Sequence, residues 1–440
     1  MSTVTDNTDS TDNKAGVDGR TLAKDTGKSA GKVGLSLLIA IGLGYVLTLV
    51  IGRLLSPADY GVFSSFWGLL MGLGSALSPL EQEISRQSAV AALDGKKAGK
   101  SSIRAMTIGM VIVTAIALLT LVPMIGDRVY SGHTELAIIV LCGAISFACQ
   151  FSARGLLMGH DRIRSYSWLV IAEAVVRIAG LGAVVIAGIT GLVPLAIAAA
   201  LGSFAWLVFA RPVTQLVDPH LDGEAWRPLI GRIVLLLIGS GLAAAVIGGY
   251  PTLIKLLAPT PDETKFGVLA AALMVARVPL LLLSPLQALA VPTAVRLSST
   301  AEGMHRLRRM LAVGTLGTLV LAAVGALVGF LIGPWLIKLL FGANFVAEAW
   351  WMTGLVWGTV LLTAMQLMAA VLVARTQANK VLLTWASVTL TTALILLFFP
   401  GDAILRAVVG LGAGPTVGLA VVLVFVLRRP GNANAAEASR

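Results

Sequence analysis

Two arginines and one glutamate fall deep inside long apolar runs of this chain, where every charge needs a partner or water. One of them, Arg277, has no acidic residue within a helical turn. A charge in hydrocarbon costs roughly 2.5–3.5 kcal/mol on insertion scales. Because a planar guanidinium can hold a phosphate through two parallel hydrogen bonds, Arg277 is a candidate to line a cavity and bind an anionic substrate. A structural pair with a neighbouring helix is the alternative.

Glu173 and Arg177 are the other two deep charges, four residues apart in a second apolar run. This spacing puts both side chains on one helix face, where they can pair. The pair is either structural and self-neutralising, or it is a coupling site for a proton or an ion.

Further polar residues repeat at matching positions. Gln150 and Gln366 lie 216 residues apart, and each is followed by Leu after six residues and by a basic residue after fourteen. Their amides are candidates to line the cavity or to link helices. Arg53 and Lys255 stand at equivalent outer ends of two apolar runs. They either extend to the membrane interface or line an outer vestibule.

A second group of candidates concerns gating. Glu83 and Arg86 are three residues apart at the predicted cytoplasmic end of an apolar run, as a gate contact or as a solvated helix extension. Pro79 and Pro285 occupy equivalent places in two runs. Proline removes a backbone hydrogen bond and bends a helix, so both are gating candidates, although proline is also common in membrane helices.

Composition excludes most other classes of protein. The chain is 57% hydrophobic and 12% charged, against about 25% charged residues in soluble domains. Cys142 and Cys149 do not have a metal-binding or redox spacing, and no HExxH, nucleotide-binding loop or GxSxG motif occurs. The net charge of +11 follows topology and forms no single patch. We therefore expect no enzyme activity, no cofactor, no metal and no nucleic-acid partner.

About 20 apolar residues cross a bilayer as one helix. By this rule the sequence predicts an all-α integral membrane protein with twelve transmembrane helices, which we call segments 1–12. They cover residues 33–52, 62–80, 105–126, 136–159, 167–188, 191–210, 233–258, 266–293, 311–341, 349–374, 381–400 and 407–427.

The distribution of basic residues supports this count. With the amino terminus inside, 25 Lys and Arg residues are cytoplasmic, 6 are outside and 2 lie within helices, a strong positive-inside bias. Both termini are then cytoplasmic. Residues 1–32 are predicted to be a disordered tail, and residues 428–440 form a second tail.

A short repeat indicates a duplicated unit. Gly61-Val62 and Ser78-Pro79-Leu80 recur as Gly267-Val268 and Ser284-Pro285-Leu286, both 206 residues later. Six helices per half make the repeat parallel, with a pseudo-two-fold axis along the membrane normal. We predict an N-lobe of residues 33–210, a cytoplasmic linker of residues 211–232 and a C-lobe of residues 233–427.

The junction of segments 1 and 2 reads Arg53-Leu54-Leu55-Ser56-Pro57-Ala58-Asp59-Tyr60-Gly61. This pattern resembles the start of Wzx-type polysaccharide-biosynthesis flippases, which belong to the MOP superfamily with the MATE drug exporters and the lipid II flippase. The topology agrees along nearly the whole chain. The sequence departs from the family pattern at Gly248-Gly249-Tyr250-Pro251, where relatives often carry Asn or Asp.

The resemblance implies a MOP-like fold with two six-helix lobes around a positively lined cavity. It implies a secondary transporter of the bacterial plasma membrane that flips a polyprenyl-pyrophosphate-linked oligosaccharide to the outer leaflet by alternating access, for cell-surface polysaccharide biosynthesis. Membrane lipids, a polysaccharide polymerase and glycosyltransferases are the partners that follow from it. The alternative is a MATE-like small-molecule antiporter, which for cationic drugs needs an anionic cavity.

Overall fold

The computed structural model describes residues 12–278, 301–374 and 377–427. Helices account for nearly all of these residues, and the only β-type contact among them is a parallel bridge between Ala98 and Val217. The helices are Asp12–Leu54, Pro57–Ala76, Ser78–Leu93, Lys100–Leu119, Pro123–Tyr130, Thr134–Gly159, Ile163–Ile186, Leu192–Ala200, the 3₁₀ helix Leu201–Phe209, Ala210–Thr214, Trp226–Ile247, Tyr250–Leu257, Glu263–Ala276, Ala301–Phe341, Ala349–Ala374, Ala378–Phe398 and Ala403–Leu427.

Eleven helical stretches of the described residues are long and apolar enough to cross a membrane, which confirms the all-α membrane architecture. They correspond to segments 1–7 and 9–12. Segment 8 is represented by Glu263–Ala276, and its predicted remainder, with Pro285, continues outside the described residues. The first helix begins at Asp12, so helical structure reaches into the tail for which the sequence predicts disorder. Residues 1–11 and 428–440 are outside the described part.

Segment 2 is longer than predicted and consists of two helices. Ser56 caps the first one by accepting a hydrogen bond from the Asp59 amide at 3.2 Å, and Pro57 begins it. This is a favoured start, because proline has no amide hydrogen to leave unpaired there. The second helix begins at Ser78, with Pro79 in its first turn. The helix is therefore interrupted at Leu77, two residues before Pro79.

Two other segments are interrupted within the membrane-sized stretch. Segment 6 changes from α-helix to 3₁₀ geometry over Leu201–Phe209, a tighter winding that is uncommon at this length. Segment 7 was predicted as one helix over 233–258. It ends at Ile247, and a separate helix, Tyr250–Leu257, follows the glycine pair Gly248-Gly249.

The segments pack in two groups with two connecting elements. Segments 1–6 contact mainly one another, and segments 9–12 form the second group. Segments 7 and 8 pack against segment 2 on one side and against segments 11 and 10 on the other. Segment 2 is thus the N-lobe element that meets the C-lobe along its length.

We name the two ends of the bundle by their loops. The basic end carries the loops 94–99, 160–162 and 215–225. The far end carries the loops 55–56 and 258–262 and the connection 120–133, which contains the short helix Pro123–Tyr130. Large apolar side chains cover the perimeter between the ends. In segment 9, for example, Leu316 and Leu331 are each about two-thirds exposed, as is expected of side chains that face lipid.

Candidate functional site

A cavity of about 400 Å³ lies between the lobes. Its wall is formed by segments 1, 2, 4 and 5 of the N-lobe and by segments 7 and 8 of the C-lobe. Most of the wall is apolar or aromatic. Its hydroxyl-bearing and charged residues are Tyr45, Thr48, Tyr60, Ser64, Ser75, Arg154, Glu173, Arg177 and Arg277.

Glu173 is the centre of a hydrogen-bonded cluster in the N-lobe wall. One carboxylate oxygen accepts from Arg177, and the other accepts from Arg154 and, at 2.6 Å, from the Gln150 amide. Each of these four residues has 9% or less of its surface exposed. The predicted Glu173–Arg177 pair is therefore present, and Gln150 belongs to the same cluster. Hereafter we call these four residues the Glu173 cluster.

Arg154 is the functional residue that the sequence analysis missed. It is one of the 25 basic residues that the predicted topology assigns to the cytoplasm, yet it lies inside the helix Thr134–Gly159 with 9% of its surface exposed. Its position within the predicted span 136–159 was the signal that could have identified it. Gln150 and Arg154 are four residues apart, so one helix face presents both toward Glu173.

Aromatic rings and a glycine hold the two arginines of the cluster in place. The Arg154 guanidinium carbon lies 5.0 Å from the centre of the Phe151 ring, and that of Arg177 lies 5.2 Å from the Trp67 ring. Such cation–π contacts strengthen when desolvated. The stem of Arg177 packs on Gly202 of segment 6, where any side chain would overlap it.

Arg277 faces the same cavity from the C-lobe. It follows the helix Glu263–Ala276, and its backbone caps the carboxyl end. Its side chain is half-buried, and the buried Nη2 atom has no hydrogen-bond partner. Among the described residues no carboxylate pairs with Arg277. The sequence-based alternative of a structural pair has no support in that part of the chain.

The cavity therefore carries an excess of positive charge. Of the described residues, three arginines and one glutamate line it, and together they contribute a formal charge of +2. These charges interact with a ligand more strongly than they would in water, because the apolar wall has a lower dielectric constant. Such a cavity favours an anion over a cation.

Gln366 is one of three predicted cavity residues, with Arg53 and Lys255, that do not line the central cavity. It is half-buried in the helix Ala349–Ala374, and it is not among the residues that line the cavity. The internal repeat predicted equivalent positions for Gln150 and Gln366. The repeat does not give them equivalent surroundings, because the cavity is lined by segments 7 and 8 and not by segment 10.

Lys255 belongs to a second site at the far end. Its ammonium is 2.5 Å from both Glu263 carboxylate oxygens and 2.8 Å from the Ser131 hydroxyl. The residue is 2% exposed, so it does not extend to the interface as the sequence suggested. Burial lowers the pKa of Lys255, while the Glu263 carboxylate opposes this change. Asp127 and Arg128 line the adjoining pocket of about 290 Å³.

Other bonds at the far end also join the lobes. Arg128 donates to the Ala258 carbonyl at 2.7 Å. Arg53 donates to the carbonyls of Leu340, at 2.7 Å, and Leu339 at the end of segment 9. Arg53 is exposed and, like Lys255, lies outside the central cavity. It satisfies carbonyls that a helix end leaves unpaired.

The basic end has its own inter-lobe ion pairs. Glu83 accepts from Arg86 at 2.8 Å and from Arg232 at 2.7 Å. Arg232 ends the predicted linker 211–232, but in the structure it lies on the helix Trp226–Ile247, which continues into segment 7. Arg232 also donates to Glu224 of the linker at 2.5 Å. The predicted Glu83–Arg86 pair is therefore joined to the C-lobe by Arg232, a link that sequence spacing alone does not show. Within the described residues no group of His, Cys, Asp and Glu could hold a metal ion.

Comparisons by sequence find relatives that are uncharacterized. No protein-family model matches the chain. It is 29% identical over 413 residues to the uncharacterized protein Rv1510 of Mycobacterium tuberculosis, covering 91% of this chain and 92% of that one. It is 28% identical over 411 residues to the uncharacterized protein Mb3654 of Mycobacterium bovis, with the same coverage.

The fold of the chain is similar to the folds of solved transporters of the MOP superfamily. The lipid II flippase MurJ in an inward closed conformation matches with a TM-score of 0.63 at 13% identity, covering 90% of this chain and 88% of MurJ. An inward-facing multidrug resistance MATE transporter of the MOP superfamily matches with a TM-score of 0.62 at 13% identity, covering 89% and 98%. A MOP superfamily transporter from Pyrococcus furiosus, for which reverse polarity of the binding pocket suggests a different function, has a TM-score of 0.53 at 16% identity, covering 91% and 94%. The predicted MOP-like fold is confirmed.

Proposed function

We propose that this protein is a secondary transporter that flips a polyprenyl-pyrophosphate-linked oligosaccharide from the inner to the outer leaflet of a bacterial plasma membrane. The observation that carries the proposal is Arg277, which has no acidic partner among the described residues and lines a cavity where arginines outnumber acids three to one. A pyrophosphate is strongly anionic, and moving it through hydrocarbon without compensation is prohibitive. A guanidinium halfway across supplies that compensation.

The wall at segment 1 suits a substrate with a lipid tail. Leu37, Ile41 and Gly44 line the cavity there. Side chains placed on Gly34, Gly42 or Gly44 would meet no atom within 4 Å, so this helix is loosely covered on the side of its glycines. A polyprenyl chain can remain in the bilayer beside segment 1 while its head group enters the cavity.

The contacts at the two ends suit alternating access. Lys255, Glu263 and Ser131 join the lobes at the far end, and Glu83 and Arg232 join them at the basic end. We assign the basic end to the cytoplasm by the positive-inside rule. Transport then requires the far-end contacts to break while the N-lobe, residues 33–210, rocks against the C-lobe, residues 233–427, about the linker 211–232.

The polarity of the cavity separates this proposal from its main alternative. A MATE-like antiporter for cationic drugs needs a surplus of acidic groups in the cavity, whereas Glu173 is here bonded to two arginines.

The proposed function also implies partner enzymes. Glycosyltransferases would build the lipid-linked sugar on the inside, and a polymerase would consume it outside.

The test is translocation in proteoliposomes. A fluorescent polyprenyl-pyrophosphate oligosaccharide is incorporated, and its exposure to an external quencher is followed for the wild type and for Arg277→Ala. The control is Arg164→Ala, which removes an exposed arginine outside the cavity. We expect movement with the wild type and the control, and its loss with Arg277→Ala.

Two results would contradict the proposal. Equal translocation by wild type and Arg277→Ala would exclude the central arginine from substrate transfer. No translocation by folded wild type under several ion gradients, together with efflux of cationic drugs, would favour the antiporter.

A further inference from the structure

The Glu173 cluster resembles an anion-binding site in which the Glu173 carboxylate takes the place of a bound anion. Three donors from two helices, those of Gln150, Arg154 and Arg177, converge on the single carboxylate of Glu173. Guanidinium groups arranged in this way suit a phosphate as well as a carboxylate, because both offer oxygens in the same fork geometry.

The cluster also has hydrogen-bonding capacity that Glu173 does not use. The Nε atoms of Arg154 and Arg177 are buried and have no hydrogen-bond partner among the described residues. Both residues are at least nine-tenths buried. Unpaired buried donors are unfavourable. The cluster borders the central cavity, where Arg277 is unpaired as well.

We infer that Gln150, Arg154 and Arg177 form a phosphate subsite of the cavity, and that the Glu173 carboxylate occupies this subsite when no substrate is bound. An incoming pyrophosphate group would displace Glu173 from one or both arginines, and the return of Glu173 would promote release. This inference rests on the proposed function, since it supplies a second contact for the anionic head group beside Arg277.

A role as a displaceable occupant accounts for the acid Glu173 in a cavity that favours anions. Two arginines held close together without a counterion would repel each other and would be costly to bury. A carboxylate removes that cost in the empty state, and it weakens substrate binding because substrate must compete with it. Moderate binding is an advantage for a transporter, because the substrate must also leave.

The test measures binding of inorganic pyrophosphate to the purified full-length protein at constant ionic strength. The variants are Glu173→Gln, Arg277→Ala and the control Arg164→Ala. If Glu173 is a competing occupant, Glu173→Gln should bind pyrophosphate about tenfold more tightly or better, since one opposing charge is removed. A structural Glu173 would instead give a less stable variant with unchanged or weaker affinity, which would overturn the inference.

If Glu173→Gln folds poorly, a second measurement still tests whether the cluster binds an anion. The variant is also prepared in the presence and absence of pyrophosphate, and its thermal unfolding is followed. Stability restored by pyrophosphate, and less well by sulfate, supports a subsite that needs an anion. Equal instability with and without anions overturns it.

Farnesyl pyrophosphate, tested beside inorganic pyrophosphate, identifies the source of the anion. Tighter binding of the prenylated form by the wild type supports a lipid head group, and equal binding supports a free phosphate compound. The two proposals fail differently. Binding that depends on Arg277 without any gain in Glu173→Gln overturns only the inference, whereas a gain in Glu173→Gln without lipid translocation retains the subsite and contradicts the proposed function.

Discussion

Gly61 and Gly267, the two glycines of the sequence repeat, face each other where segments 2 and 8 cross near the far end. A Cβ atom built on Gly61 would lie 3.0 Å from the Gly267 amide nitrogen and 3.1 Å from the Glu263 carbonyl oxygen. One built on Gly267 would overlap the Pro57 carbonyl. The two positions with matching sequence are thus brought into direct backbone contact.

Replacing Gly267 with alanine should prevent this contact. The methyl group has no free space, because it meets backbone that cannot rotate away. We expect a loss of about 1–3 kcal/mol in the free energy of unfolding, typical of overpacking, measured by thermal unfolding in detergent. The control is Gly182→Ala, where the added methyl meets nothing within 4 Å. Equal stability of both variants would contradict the close crossing.

Much of the fold follows from local properties of the sequence. The spans are predictable because a bilayer imposes a length of apolar residues and loops record topology in their basic residues. The Glu173–Arg177 pair is predictable because helical periodicity fixes which residues share a face.

Other features depend on tertiary packing and were not accessible to the same reasoning. Arg154 lies within the predicted span 136–159, but its acidic partner Glu173 is on another helix, so spacing along the sequence does not reveal the pair. Lys255 was expected near the interface, yet the break at Gly248-Gly249 starts a separate short helix that buries it. The glycine pair was visible in the sequence as the position where the helix could end.

Lys255 and Glu263 should be strongly coupled, because Lys255 is buried and its carboxylate partner is close. Glu263→Gln leaves a buried ammonium without its counterion, which we expect to cost about 3–5 kcal/mol of stability. Lys255→Met combined with Glu263→Gln should recover a large part of this loss. The measurement is a double-mutant cycle by thermal unfolding. Additive losses would show that the ion pair contributes little to the far-end contact.

Arg232 should affect transport more than stability. Its side chain is 37% exposed, and partly solvated ion pairs contribute about 1 kcal/mol or less. Arg232→Glu introduces repulsion with Glu83 and Glu224 and should hold the basic end open, which lowers the rate of lipid translocation. Exchange of the charges, Arg232→Glu with Glu83→Arg, should restore part of the rate. Arg227→Ala, at an exposed position on the same helix, is the control.

Gly202 should be required for the placement of Arg177. A Cβ atom on Gly202 would overlap the Arg177 side chain and crowd the Glu173 carbonyl oxygen, so Gly202→Ala must displace the guanidinium from Glu173. We expect this variant to lose about 1–3 kcal/mol of stability. Gly241→Ala is a matched control, since its methyl group would meet no atom within 4 Å.

Arg177→Leu, combined with Gly202→Ala, tests the cause directly. If the alanine acts through Arg177, its penalty should shrink in the Arg177→Leu background, with a coupling of about 0.5–3 kcal/mol. The same penalty in both backgrounds would locate the strain in the 3₁₀ helix of segment 6 instead.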